Sequence, residues 1–346
     1  MSLEIVRALA SAGEPRVLCT VLKVKGSAPR HAGSMLLAGP GGLVMGSVGG
    51  GRGESLVLAA CRENLGGAAP LILEIDMQGM EAEGPAMVCG GTSRILVEPL
   101  ADAAPYRAAL ALLERGERIV LVKRLATGEA GVLDSAGAWA HGRVEGADPA
   151  MAAHALASGH PVLAEAEGLF FDPVLPREKL LILGGGHVGR ALAALAPGLG
   201  FRVTVGDDRP EYVEPERFPA GTATLCGAFA SIVERYAFDP STYVVIVTRG
   251  HLCDLECVRA VLGRTYRYAG FMGSSRKTRL VLAQVASEGF DARKVEALCA
   301  PIGLEIGAET PEELAVAIAG ELIAVRRDAA WIQARIPARK ARRGTP

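Results

Sequence analysis

Apolar and polar residues fall along the chain into short apolar runs and amphipathic stretches that predict alternating strands and helices. Residues 17–24, VLCTVLKV, are apolar and β-branched and predict a buried strand, which the Gly- and Pro-containing GSAPRHAG ends. MLLAG and GLVMGSV flank Pro40-Gly41-Gly42 as the arms of a hairpin, and GGGRGE opens a helix running through SLVLAACREN. LILEIDM and RILVEPL predict two more strands. Between them the step Met87-Val88-Cys89-Gly90-Gly91 carries paired glycines that let backbone amides approach a ligand. Cys89 is thereby placed on a strand-edge turn, where neighbouring amides can stabilise a thiolate able to meet sulfur or a metal; the plainer reading is a buried, inert thiol.

From 105 to 175 the pattern becomes helix, strand (RIVLVKR), strand (AGVLD), helix (PAMAAHALASG) and strand, ending in the polar, Pro-containing FDPVLPREK. A domain boundary is expected near 176. The stretch KLLILGGGHVGRALAALAPGLGFRVTVGDDR then follows the order of a βαβ unit, with YVVIVTRG and YRYAGFMGS as further strand-to-loop steps. Thr310-Pro311-Glu312-Glu313 marks a helix start, since Thr can cap, Pro tolerates the first turn and Glu313 can reach back to the cap amide. The helix is expected to run from about 311 to about 330.

Composition turns this pattern into an architecture. With 346 residues the chain is more than twice the usual domain size. The expected fold class is α/β: an N-terminal α/β domain (1–176), a C-terminal Rossmann-like, doubly wound parallel sheet (177–334), and a solvated, disordered basic tail (335–346) holding Arg335, Arg339, Lys340, Arg342 and Arg343. Lys+Arg total 37 against 38 for Asp+Glu, so no overall field gathers nucleic acid or an anionic membrane, and any anion site is local. Glu4 and Arg7 interrupt the first apolar residues, and no segment approaches the roughly 18 unbroken apolar residues of a membrane span. A cytoplasmic protein is expected. Seven cysteines without a C-x-x-C predict free thiols rather than a disulfide framework.

The strongest chemical signal is Gly184-Gly185-Gly186-His187-Val188-Gly189, which fits G-x-G-x-x-G directly after an apolar strand and at a helix start. Asp207 ends the following strand, where an acid accepts ribose hydroxyls in dinucleotide sites; Asp208 is the alternative. The plainer reading is a Rossmann turn that binds no dinucleotide. Ser274, Ser275, Arg276 and Lys277 gather hydroxyls and cations at another helix start, either for phosphate oxygens or as a solvated basic end. Thr248-Arg249-Gly250-His251 ends a strand at the ligand-binding edge of such sheets, and His251 can equally cap its own helix. Cys253 and Cys257 share a helix face, which suits core packing better than metal binding.

Taken together, GSAPRHAGSMLL, GSVGGG-x-x-E, VCGG, LGGGHVGRALA with DDRPEY, GFMGSSRK and PIGLEIGAETPEELAVAIAGE resemble, in this order, the xanthine dehydrogenase accessory protein (XdhC/CoxI) family. The resemblance implies a cofactor-holding protein and does not itself imply turnover of a metabolite. Such a protein binds the molybdenum cofactor, as molybdopterin or its cytosine dinucleotide form. It protects the cofactor while a cysteine desulfurase supplies the terminal sulfur, then delivers it to a xanthine dehydrogenase-type molybdenum hydroxylase, commonly from a homodimer. Carried onto this chain, Cys89 is the candidate thiol beside molybdenum or its sulfur. Gly184, Gly186, His187 and Gly189 with Asp207 would face a nucleotide or pterin phosphate, and Gly26 to Arg30 the opposite wall. Arg52, Glu54, Arg249, His251, Ser274 and Arg276 complete the expected set. Many relatives carry Cys in place of Arg52 and His in place of Arg249. Both changes supply a guanidinium suited to forked oxoanion binding, so anion holding is expected to outweigh thiolate ligation. The alternative from another class is an NAD(P)-dependent oxidoreductase with His187 and His251 as proton carriers. A third reading is a nucleotide sensor that recruits partners through the basic tail.

Overall fold

The computed structural model of the chain describes residues 2–67, 69–76, 91–327 and 329. Cys89 and the basic tail lie outside them, and of His251 only the backbone is described. Tertiary contacts divide the chain into Met1–Pro176 and Arg177–Pro346.

In the N-terminal unit two five-stranded sheets are built from antiparallel pairs. The first runs Gly42–Gly46 (β3), Met35–Gly39 (β2), Val17–Lys25 (β1), Thr92–Pro99 (β5), Leu71–Asp76 (β4). The second runs Trp139–His141 (β8), Ala130–Leu133 (β7), Ile119–Arg124 (β6), Leu169–Val174 (β10), Val162–Ala164 (β9). The hairpin expected around Pro40 is β2–β3. FDPV, expected in the polar end of a strand, is fully buried within β10. The helices are Leu3–Ala10 (α1), Gly51–Glu63 (α2), Ala104–Glu114 (α3) and Pro149–Ser158 (α4).

Both faces of β6 are covered, which explains its unbroken apolar run: Ile119 and Leu121 join a core with Leu18, Leu37, Tyr106 and α1, whereas Val120 and Val122 pack towards α4. Lys123, one step further on the first face, is drawn inside and pairs with Glu98 of β5, which also accepts the Tyr106 hydroxyl at 3.3 Å. On the other face of the first sheet lies α2, which buries only Val57 and Cys61.

The C-terminal unit holds one parallel sheet in the order Ala223–Cys226 (β13), Phe201–Asp207 (β12), Glu178–Leu183 (β11), Thr242–Ile246 (β14), Tyr268–Phe271 (β15). Leu180 and Ile182 of β11 face one core, and Leu181 and Leu183 the other. His187–Leu195 (α5) and Pro311–Arg326 (α10) cover the first face; Phe229–Arg235 (α6), His251–Leu262 (α7) and Ser275–Ser287 (α8) cover the second, with Ala292–Ala297 (α9) beside them. This is the doubly wound sheet expected from the βαβ pattern. The chain leaves β11 for β12 and β13, then returns to β14 on its other side, so a topological switch point opens at the carboxyl ends of β11 and β14. Helix α10 begins with the expected capping box of Thr310 and Glu313 and ends at Arg326.

Candidate functional site

At the switch point the glycines have three distinct steric tasks. Gly184, with φ +116°, turns where a Cβ would stand 2.5 Å from the Val247 carbonyl oxygen. At Gly189 a Cβ would lie 1.9 Å from the Gly184 oxygen, so α5 meets β11 this closely only without a side chain. Gly186, the N-cap of α5, has nothing within 4 Å of its Cβ position and borders open space. Gly185 is covered instead, by the Tyr212 carbonyl 2.1 Å from its Cβ position. His187 is exposed beside this opening as the first residue of α5.

Asp207 lies buried at the end of β12. Its Oδ2 accepts the Gly185 amide at 2.8 Å and Arg209 Nη2 at 3.1 Å; its Oδ1 accepts Arg209 Nε at 2.9 Å and the Arg209 amide at 3.1 Å. Burial alone would push this carboxyl up, but the guanidinium and amide donors hold it below the usual carboxylate range. Arg209 stacks 3.4 Å above the Tyr212 ring, and Arg217, 5.0 Å from the same ring, reaches the Gly185 carbonyl at 3.5 Å. Asp207 therefore ties the glycine loop to the loop after β12, and its acceptors face protein donors. The neighbouring Asp208 is more open and accepts Arg249 Nη2 at 2.7 Å.

On the other side of the switch point the wholly buried Asp254 accepts the Thr248 hydroxyl and pairs with the Lys277 ammonium. Lys277 thus turns inward, Ser274 caps α8 by accepting the Lys277 amide at 3.3 Å, and Arg276 is exposed. Arg209, Tyr212, Arg217 and the Asp254–Lys277 pair were missed by sequence reasoning; the DDRPEY spacing was the available signal for the first two. Cys257 is buried and Cys253 packs against its core, the placement that favours packing.

In the N-terminal unit the sequence blocks converge locally. Glu54 Oε2 accepts the Ser47 hydroxyl at 2.6 Å and the Val48 and Gly50 amides at 3.1 Å each. Burial opposes its charge, yet these donors hold the carboxyl below its ordinary value. Gly49, at φ +146°, leaves room for Pro29, whose Cγ lies 2.9 Å from the Gly49 Cβ position. Gly91, the last residue of the VCGG step, packs against the Lys25 and Ser27 carbonyl oxygens, 2.6 and 2.5 Å from its Cβ position. The end of that step is therefore anchored beside the GSAPR loop. Arg30 and Arg52 are exposed on these loops, and Cys89 itself lies outside the described residues. Among the described residues no three or more His, Cys, Asp or Glu side chains converge as a metal site. No described helix is long and apolar enough to cross a membrane.

Known proteins match both units. Residues 180–322 match the XdhC Rossmann domain, and residues 9–76 match the XdhC and CoxI family. Over 329 residues, 92% of this chain and 96% of the relative, the chain is 25% identical to a Bacillus subtilis (strain 168) protein described as a probable xanthine dehydrogenase subunit. It is also 35% identical over 154 residues to the uncharacterized protein YqeB of Escherichia coli (strain K12), a match spanning 44% of this chain and 28% of that protein's length. A crystal structure described as a xanthine dehydrogenase from Bacillus halodurans superposes with a TM-score of 0.83 at 26% identity, covering 95% of this chain and 97% of that one. On the order of its motifs, its glycine-loop geometry and these likenesses, the chain belongs to the XdhC and CoxI family of xanthine dehydrogenase accessory proteins.

Proposed function

We propose that this protein binds the molybdenum cofactor, holds it for sulfuration by a cysteine desulfurase and delivers it to a xanthine dehydrogenase-type molybdenum hydroxylase. The observation that carries this reading is the open space above Gly186 at the N-terminus of α5, a cradle that a side chain would fill. Amides and the helix dipole suit a phosphate there, and Arg217, which reaches the Gly185 carbonyl, adds positive charge beside the loop, while Arg209 and Arg249 are paired with Asp207 and Asp208. A pterin phosphate or a cytosine dinucleotide pyrophosphate meets that chemistry. When bound, the cofactor supplies the metal and terminal sulfur that the hydroxylase needs. In this reading the α5 N-terminus at Gly186 and Ser274 face the phosphates, Gly184 and Gly189 shape the turn that presents them, Cys89 meets molybdenum or its sulfur, and Arg30 and Arg52 hold oxoanion oxygens. The protein acts as a cytoplasmic homodimer.

The test is the molybdenum and pterin content of protein purified without oxygen from a host that makes the cofactor, beside titration of the empty protein with NAD(H). A Gly186→Asp variant keeps a favoured helix cap and opposes an anion, so it is expected to remain folded and lose pterin. Cys89→Ser is expected to retain less sulfurated cofactor. A metal-free, pterin-free wild type that binds only nicotinamide cofactor would replace this reading with the oxidoreductase. That alternative is disfavoured by Asp207, whose oxygens already accept Gly185 and Arg209 rather than standing open to a ribose.

A further inference from the structure

Two thiols face each other in the core of the N-terminal unit. Cys19 lies on β1 and Cys61 in the last turn of α2, with their Sγ atoms 3.2 Å apart and their residues 0% and 2% exposed. A disulfide spans about 2.0 Å between sulfurs, so closure asks for a shift of about 1 Å shared by two side chains. Local opening of α2 would give a small oxidant access to the pair. Only Val57 and Cys61 of that helix are buried, which makes its local opening less costly than unfolding the sheet beneath.

The pair is also electronically asymmetric. The hydrogen bond between the two thiols lowers Cys61 below its ordinary value against the opposing effect of burial, and Arg62 adds to the lowering. The same hydrogen bond, followed by burial, pushes Cys19 far up. Cys61 is therefore the more readily ionised thiol of the pair.

We propose that Cys19 and Cys61 are a modification site, forming a reversible intramolecular disulfide that fastens α2 to β1 when the protein meets a hydroperoxide. The Cys61 thiolate attacks one peroxide oxygen and breaks the O–O bond, giving a sulfenic acid and hydroxide, which takes up a proton to become water. The Cys19 sulfur then attacks the sulfenic sulfur as its own proton leaves with the departing hydroxyl. Two thiols and one hydrogen peroxide thus become one disulfide and two waters. A dithiol reductant reverses the step by exchange. Because α2 starts at the Ser47–Glu54 loop, the crosslink would restrain the element on which that loop is mounted.

The experiment treats the full-length protein with hydrogen peroxide, quenches, unfolds it, blocks free thiols with iodoacetamide and maps peptides without reduction. The expected result is a linked peptide pair containing Cys19 and Cys61, with two of the seven cysteines protected from the block and both recovered after dithiothreitol. Oxidised wild type should also melt higher, by about 10 °C for a loop of this length in a unit of this size, and Cys61→Ser should lose that rise. Recovery of both cysteines as free thiols after the exposed Cys226 has been oxidised would overturn the proposal, as would linkage of either one to a different cysteine. Should the serine variant fail to fold, the wild-type peptide map decides alone.

Discussion

A side chain added at Gly186 enters open space, whereas one added at Gly189 meets the Gly184 carbonyl oxygen at 1.9 Å. Gly189→Ala is therefore expected to cost about 1–3 kcal/mol in urea unfolding. Gly186→Asp, at an N-cap, should change stability by less than about 0.5 kcal/mol. Equal losses at the two positions would contradict the division of tasks. Asp207 supplies a second prediction. Its carboxyl is held below the ordinary value, so its contribution to stability is complete above the ordinary carboxyl pKa of 3.8 and is lost as pH falls through the lower, folded value. Asp207→Asn should cost about 3 kcal/mol at pH 7, with the gap to wild type narrowing as urea midpoints are measured below pH 3.8. The position of Asp207 after its strand was legible in the sequence. The hold of Arg209 on it was not, because a spacing of two residues gives reach but no rotamer.

At the scale of elements, β6 shows how a strand can draw a charge inward. Lys123 follows Ile119 and Leu121 on one face and is 1% exposed, so its ammonium depends on Glu98 of β5. Burial alone would lower this lysine, but Glu98 and then Tyr106 raise it instead. Lys123→Met should destabilise the N-terminal unit by about 3–5 kcal/mol because it leaves the buried Glu98 carboxylate without its counter-charge. Lys123→Met with Glu98→Leu should recover most of that loss, and a double-mutant cycle in urea measures the coupling. In RIVLVKR the strand was readable but the burial of its lysine was not. The partner is held on a strand of the other sheet, a pairing that local periodicity does not carry. The capping box of α10 was legible in full, since Thr310 and Glu313 interact within a single turn.

For the molecule as a whole, the two units own separate cores, and only Leu175, Pro176 and Arg177 join the end of β10 to the start of β11. A fragment from Arg177 onward is expected to fold alone with its own cooperative thermal transition, measured by circular dichroism. A flat melting curve would count against that independence. The parallel sheet was legible because strands and helices alternate at short range. The antiparallel sheets were harder to read, because β1 pairs with β5 across a long intervening segment, Val17 opposite Pro99. Within the same unit, Glu54 gathers the Ser47 hydroxyl and the Val48 and Gly50 amides before any ligand arrives. The conformational entropy of that loop is thus lost during folding rather than on association. Calorimetry of a ligand captured at the Ser47–Glu54 loop should show only a small ordering penalty in wild type, and a larger one, with weaker affinity, in Glu54→Gln.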